Sequence, residues 1–128
     1  MSVTVSHYPE IYTLLVEYNG MIGYEDLHRA YAEVADLQEQ YLIKYLLADG
    51  TQMIYRLEVL MDETLLNLRR ETAQHLNLER IVLVMPSHHE LRTRNEGLYE
   101  VWGVAHKLRF VTDRDEGFAL IESIEQNS

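Results

Sequence analysis

The side chains with the most chemical potential fall in two short stretches: Ala48-Asp49-Gly50-Thr51-Gln52, and Ser87-His88-His89-Glu90 with Arg92 and Arg94 close behind. Histidine pairs serve metal ligation and acid–base work. Neighbouring histidines diverge on a helix, however, whereas metal pairs use a three- or four-residue spacing on one face. No H-E-x-x-H motif is present, and the dipole at a helix N-terminus disfavours imidazolium. His88 and His89 therefore read as exposed first-turn residues. The free amides of that turn, with Ser87, suit an anion such as a phosphate or carboxylate, and Arg92 and Arg94 lie nearby.

The candidate ligand- or partner-binding residues are thus Asp49, Thr51, Ser87, His88 and Arg92. No catalytic set, metal site or cofactor motif emerges. The carboxylate pairs Asp62-Glu63 and Asp115-Glu116 read as helix caps and solvated charge. There are nine tyrosines. Tyr24 and Tyr31 fit a core, while Tyr12, Tyr45, Tyr55 and Tyr99 could line a pocket or a partner surface. Trp102, four residues beyond Leu98, reads as helix packing.

The elements that must position these groups alternate between strand and helix. Val3 and Val5 alternate with polar residues, Pro9 marks a turn, and residues 11–18 are rich in strand formers up to Asn19-Gly20, which predicts an N-terminal hairpin or two short strands. Tyr24, Leu27, Tyr31 and Val34 recur at helical spacing. Residues 41–47 are apolar nearly throughout, as in a strand covered on both faces. Asp49-Gly50 then permits either a hairpin turn or a strand ending in a loop, and residues 51–61 stay open between the two, leaning to extended structure. Asp62 caps a predicted helix to about Leu76, with Leu65, Leu68, Thr72 and Leu76 inward and Arg69, Arg70 and Gln74 elsewhere.

Residues 81–85 form an apolar strand cut by Pro86. Ser87 and Glu90 have capping-box spacing for a helix that Gly103 stops, with Leu91, Leu98, Trp102 and Ala105 on its buried side. Residues 107–112 make a strand with one wet face, suited to a sheet edge. Asp113 and Glu116 cap a last helix packed through Phe118, Ile121 and Ile124, with Gly117 close to its neighbour. The whole predicts an α/β fold: a mixed sheet of four to six strands with about four helices, in one domain over residues 1–124 and a polar tail at 125–128.

Composition narrows the functions. Apolar residues are 47% and charged residues 25% of the 128, and the net charge of −10 makes nucleic acid and anionic membrane surfaces poor partners. No run is apolar enough to span a membrane and no signal peptide opens the chain. The absence of cysteine excludes disulfides and thiolate chemistry and suits a cytoplasmic protein.

This order of elements resembles the STAS domain, the SpoIIAA-like fold of anti-sigma-factor antagonists. The likeness is carried by residues 81–124, ending in KLRFVTD and DEGFALIES, and by TLLVEYNGMIGYEDLHRAYAEV near the start. That family keeps a D-S-S-G motif after its central strand, with a serine phosphorylated by a partner kinase. Here Asp49 and Thr51 occupy that region and no D-S-S-G is present. The resemblance implies a non-catalytic regulatory module that docks to a protein partner or to itself as a homodimer. The alternative is a protein that binds a small anionic or apolar ligand, or an unrecognised enzyme, with its site at residues 48–53 and 86–91.

Overall fold

Residues 2–86 and 89–128 are described by the computed structural model. In chain order they form β1 (Ser2–Tyr8), β2 (Thr13–Met21), α1 (Tyr24–Gln40), β3 (Tyr45–Ile54), the single turn α2 (Leu57–Leu60), α3 (Glu63–Gln74), β4 (Arg80–Val84), α4 (Glu90–Val101), β5 (Leu108–Val111) and α5 (Arg114–Gln126). The sheet runs β1-β2-β3-β4-β5, with β1 antiparallel to β2 and every later pair parallel. The N-terminal strands are the hairpin expected, joined by a 3-10 turn at Pro9–Ile11 and by Tyr12 at φ 54°.

Several local signals act as read. Asp62 accepts from Leu65 N at 3.0 Å and opens α3, while Asp113 accepts from Glu116 N at 2.8 Å and opens α5. Gly103, at φ 75°, ends α4 by turning the chain back: Gly103 N reaches Glu100 O at 3.0 Å and Val104 N reaches Tyr99 O at 2.9 Å. This is the paired closure that a left-handed glycine permits. Gly117 sits so close to the sheet that a Cβ there would lie 2.7 Å from Leu47 Cδ1.

Other expectations are corrected. The strand of residues 41–47 begins only at Tyr45, because α1 runs on to Gln40 and residues 41–44 make the connection. Asp49-Gly50 is no turn. The strand continues through it, paired in parallel with β2 at Asp49 and again from Gln52, with a register shift at Gly50-Thr51. Tyr24 is exposed, at the open first turn of α1. Leu76 is 94% exposed, since α3 has already ended, and Leu78 takes the buried place instead. Beyond α4, Val104 is buried where Ala105 was expected.

Helix α4 starts at Glu90, with His89 Nδ1 capping Leu91 N at 3.1 Å, rather than opening at Ser87. Ser87 itself lies outside the described residues. Lys107 precedes β5 and donates to Ala73 O at 2.8 Å and His75 O at 3.3 Å, so its charge sits on the negative end of α3. Helix α5 continues to Gln126, and Glu125 accepts from Lys44 at 2.8 Å and Tyr45 at 2.6 Å, which ties the segment read as a tail to the start of β3.

The alternation of side chains along each strand divides the core in two. Leu15, Tyr45, Leu47, Val82, Val84 and Val111 face α5, where Ile121 meets them. Leu14, Val16, Tyr18, Leu46, Ala48, Ile81 and Leu83 face α1, α3 and α4. The strand β3 is the longest, and its last residues run past the end of β4 at Val84.

Candidate functional site

Asp49 belongs to the α5 face, where the strand alternation also brings Glu17. Arg114, the first residue of α5, bridges the two. Its Nε donates to Asp49 Oδ2 at 3.0 Å, and an Nη donates to Glu17 Oε2 at 2.7 Å. Thr51 donates to Asp49 Oδ1 from its amide at 3.0 Å and from its hydroxyl at 2.7 Å. Burial alone would raise the Asp49 pKa, but the Thr51 donors and the Arg114 guanidinium outweigh it and hold the carboxyl below its ordinary value. Asp49 and Thr51, both expected at a site, are therefore brought together in a saturated latch that leaves neither Asp49 oxygen without a donor.

Arg92 goes elsewhere. Its guanidinium stacks 4.5 Å from the Phe110 ring centre and pairs with Glu96 at 3.6 Å, over β5. His88, like Ser87, lies outside the described residues. The strand end and the start of α4 do meet, through Tyr55, which donates to Glu90 and lies 5.9 Å from the His89 ring. Among the described residues no cluster of three or more His, Asp or Glu side chains could hold a metal ion.

The opposite face of the sheet contains a cavity of about 70 Å³. It lies where the expected ligand site was placed: Ala48, Gly50 and Met53 contribute from one stretch and Leu91 from the other. Its cause is local. Ala48 and Gly50 stand at alternate positions on this face of β3 and send almost nothing into the space, while a Cβ on Gly50 would have 3.6 Å to the Met53 methyl. Leu27, Leu65, Ile81 and Leu83 complete apolar walls.

Into this apolar space converge Tyr18, Tyr31, Arg69, Asn95 and Tyr99, with Arg94 at the border; of these, only Tyr99 was expected to line a pocket. The hydroxyls of Tyr18 on β2 and Tyr31 on α1 are 2.7 Å apart. Arg69 on α3 donates to Asn95 Oδ1 on α4 at 2.6 Å, and Asn95 donates to Leu91 O at 2.9 Å. Arg69 was placed away from the buried face of α3. It lies four residues after buried Leu65 and three before buried Thr72, so the helix turns it inward. The residue as a whole keeps partial solvent contact, while its guanidinium sits among Tyr99, Tyr31 and Tyr18 and 5.9 Å from the Trp102 ring. That spacing was the readable signal, together with the two small residues on β3.

Burial pushes the Tyr18 phenol well up and raises that of Tyr99, with Tyr31 adding to both, so at neutral pH neither carries a charge. Burial also works to lower the Arg69 pKa, and the phenols of Tyr99, Tyr31 and Tyr18 outweigh it to leave the group raised. Arginine is charged at any ordinary pH. Among the described residues it makes no ion pair.

No family's sequence model matches the chain, and no curated protein sequence matches it. Solved structures do. SpoIIAA, an anti-sigma factor antagonist, in its unphosphorylated form superposes with a TM-score of 0.63 at 12% identity, covering 98% of this chain and 96% of that one. An uncharacterized DUF3478 protein with a SpoIIAA-like fold, from Shewanella loihica PV-4, gives 0.60 at 15% identity, over 94% and 92% of the two chains. The Bacillus cell fate determinant SpoIIAA in its phosphorylated form gives 0.60 at 13% identity, over 94% and 99%. The chain has the SpoIIAA-like, or STAS, α/β fold.

Proposed function

We propose that the protein is a non-catalytic regulatory module that works by docking to a protein partner. The observation that carries this reading is an apolar rim where β2 and β3 end and α1 and α2 begin. Met21, Tyr24, Ile54, Leu57 and Met61 are all exposed there. They form one patch: Met21 is the register partner of Ile54, Ile22 N donates to Ile54 O at 3.1 Å, and Tyr24 OH donates to Glu58 O at 3.3 Å. Glu25, Glu58 and Glu63 are exposed beside it, with a cation, Arg56, 3.9 Å from Glu58. An apolar centre with an acidic border fits a partner that presents apolar anchors within a basic rim. The net charge of −10 opposes pairing two copies through this rim, so the homodimer is the less favoured occupant.

The likeness to SpoIIAA supports a regulatory role at the level of fold. The Thr51 hydroxyl is engaged by Asp49 within β3, so we read the module as working without a phosphate at that position. Affinity capture from a native lysate, with wild-type protein and an Ile54→Asp/Leu57→Asp variant side by side, tests the reading. A protein retained by the wild type and lost from the folded variant is expected. Identical captured sets, or a stable wild-type dimer by light scattering that the variant dissolves, would remove it.

A further inference from the structure

Arg69, half-buried as a residue with its guanidinium against the apolar cavity, has no counter-charge among the described residues. Enclosing a cation in apolar surroundings is strongly unfavourable unless an anion or a full set of hydrogen bonds meets it. Arg69 has five donor hydrogens, and the pair named above places one of its nitrogens on Asn95 Oδ1. Tyr99 meets it as a second side-chain partner, and the remaining capacity faces a cavity whose other polar groups, Tyr18, Tyr31, Tyr99 and Asn95, are uncharged side chains. Arg94, at the border of the same cavity, is exposed. One enclosed positive charge balances one negative charge, and the apolar walls ask for apolar matter around it.

Size adds a second restriction. A water-sized sphere needs about 10–15 Å³ of such space, so a cavity of about 70 Å³ accommodates roughly five to seven such spheres in a row or cluster. We propose that this cavity is a binding site for a short-chain aliphatic monocarboxylate, its carboxylate on Arg69 beside the tyrosine hydroxyls and its chain against Ala48, Met53, Leu65 and Leu83. A phosphate monoester brings too much charge for a single enclosed guanidinium, and a neutral hydrocarbon leaves that guanidinium unbalanced. The flexible thioethers of Met53, Met61 and Met85, all at the cavity, can adjust to chains of slightly different length.

This site shares Met61 with the docking rim, but Ile54 and Leu57, the residues changed in the docking test, do not line it, so the two readings fail separately: ligand binding is measured on purified protein, and docking by capture. Trp102 is the one tryptophan in the chain and lies next to Arg69, which makes its fluorescence a direct reporter. The full chain is titrated with butyrate, hexanoate and octanoate, with hexan-1-ol and inorganic phosphate as controls, by calorimetry and Trp102 fluorescence. The expectation is saturable hexanoate binding at least about tenfold tighter than that of hexan-1-ol. Arg69→Gln should abolish the carboxylate preference, and Ala48→Leu, which fills the space while keeping Arg69, should abolish binding of both. Absence of carboxylate binding, equal binding of acid and alcohol, or hexanoate binding unchanged in Ala48→Leu each overturns the proposal. If Arg69→Gln does not fold, the acid-to-alcohol comparison and Ala48→Leu still decide it.

Discussion

The two faces of the sheet each carry an arginine, in opposite circumstances. Arg114 reaches from the start of α5 to two carboxylates, Glu17 and Asp49, at 2.7 and 2.9 Å. Arg69 lies between α3, α4 and the sheet with phenols and an amide around it and no carboxylate among the described residues. The α5 face is closely fitted, to the point where Gly117 leaves no room for a methyl group against Leu47. The other face is hollow behind Ala48 and Gly50. A charge that is balanced within its own chain holds structure together. One that is not balanced within the described chain is the ground for the carboxylate site proposed above.

The contrast can be broken by experiment. The largest effect should come from truncating the cores: Leu47→Ala is expected to cost about 4 kcal/mol, against about 2–3 kcal/mol for Leu65→Ala, which loses fewer neighbours because it borders a cavity. Both leucines are fully buried, so denaturant unfolding compares like with like. Equal losses would mean the faces are packed alike. Next, Arg114→Ala strands the Asp49 carboxylate, whose side chain is only 8% exposed; because Arg114 is itself 41% exposed, the expected loss is about 1–2 kcal/mol. Arg69→Met strands no carboxylate. It should change the stability of the ligand-free protein by less than about 1 kcal/mol in either direction, read from the same unfolding curves.

The smallest effect is the response to acid. Asp49 and Glu125 are both held below their ordinary pKa, the first by Thr51 and Arg114 against the opposing effect of burial, the second chiefly by the hydrogen bond from Lys44. Carboxyls lowered in the folded state stabilise it above their unfolded pKa, and that contribution disappears as pH falls through the folded value. The melting temperature should therefore hold down to about pH 4 and decline below it. In Arg114→Ala the decline should be shallower. A decline of the same slope in that variant would show that the latch does not set the Asp49 pKa.

Much of the fold was open to reading because its signals are local. Asp62 and Asp113 cap helices through amides three residues away, Gly103 closes α4 within its own turn, and Gly117 announces a close approach by having no side chain. The N-terminal hairpin and the edge position of the last strand also follow from short-range pattern. The errors came where distant chain decides. Asp49-Gly50 is a turn signal in isolation, and it became continuous strand because β2 pairs with it on one side and the Arg114 and Thr51 donors occupy its carboxylate.

The candidate site divided in the same way. Asp49 and Thr51 do meet, but the alternation of the strand sends Asp49 to one face and its neighbour Ala48 to the other. Residues adjacent in sequence thus belong to different environments. The apolar pattern of α3 sets Arg69 off the face of Leu65 and Thr72, although its spacing of four and three residues from them places it beside that face. Tyr18 and Tyr31 find each other only once β2 and α1 are folded together.

The uneven length of β3 has a consequence for motion. Residues 45–49 have β4 on one side and β2 on the other, whereas residues 52–54 pair with β2 alone. A single strand is thereby divided into a clamped half and a half with one free margin, and we expect native-state amide exchange to show the break, slow at Leu46 and Leu47 and faster by orders of magnitude towards Ile54. The free half is the one that borders the cavity through Met53. Exchange of the proposed carboxylate then asks only for local opening of these few residues, while the clamped half of the strand stays paired.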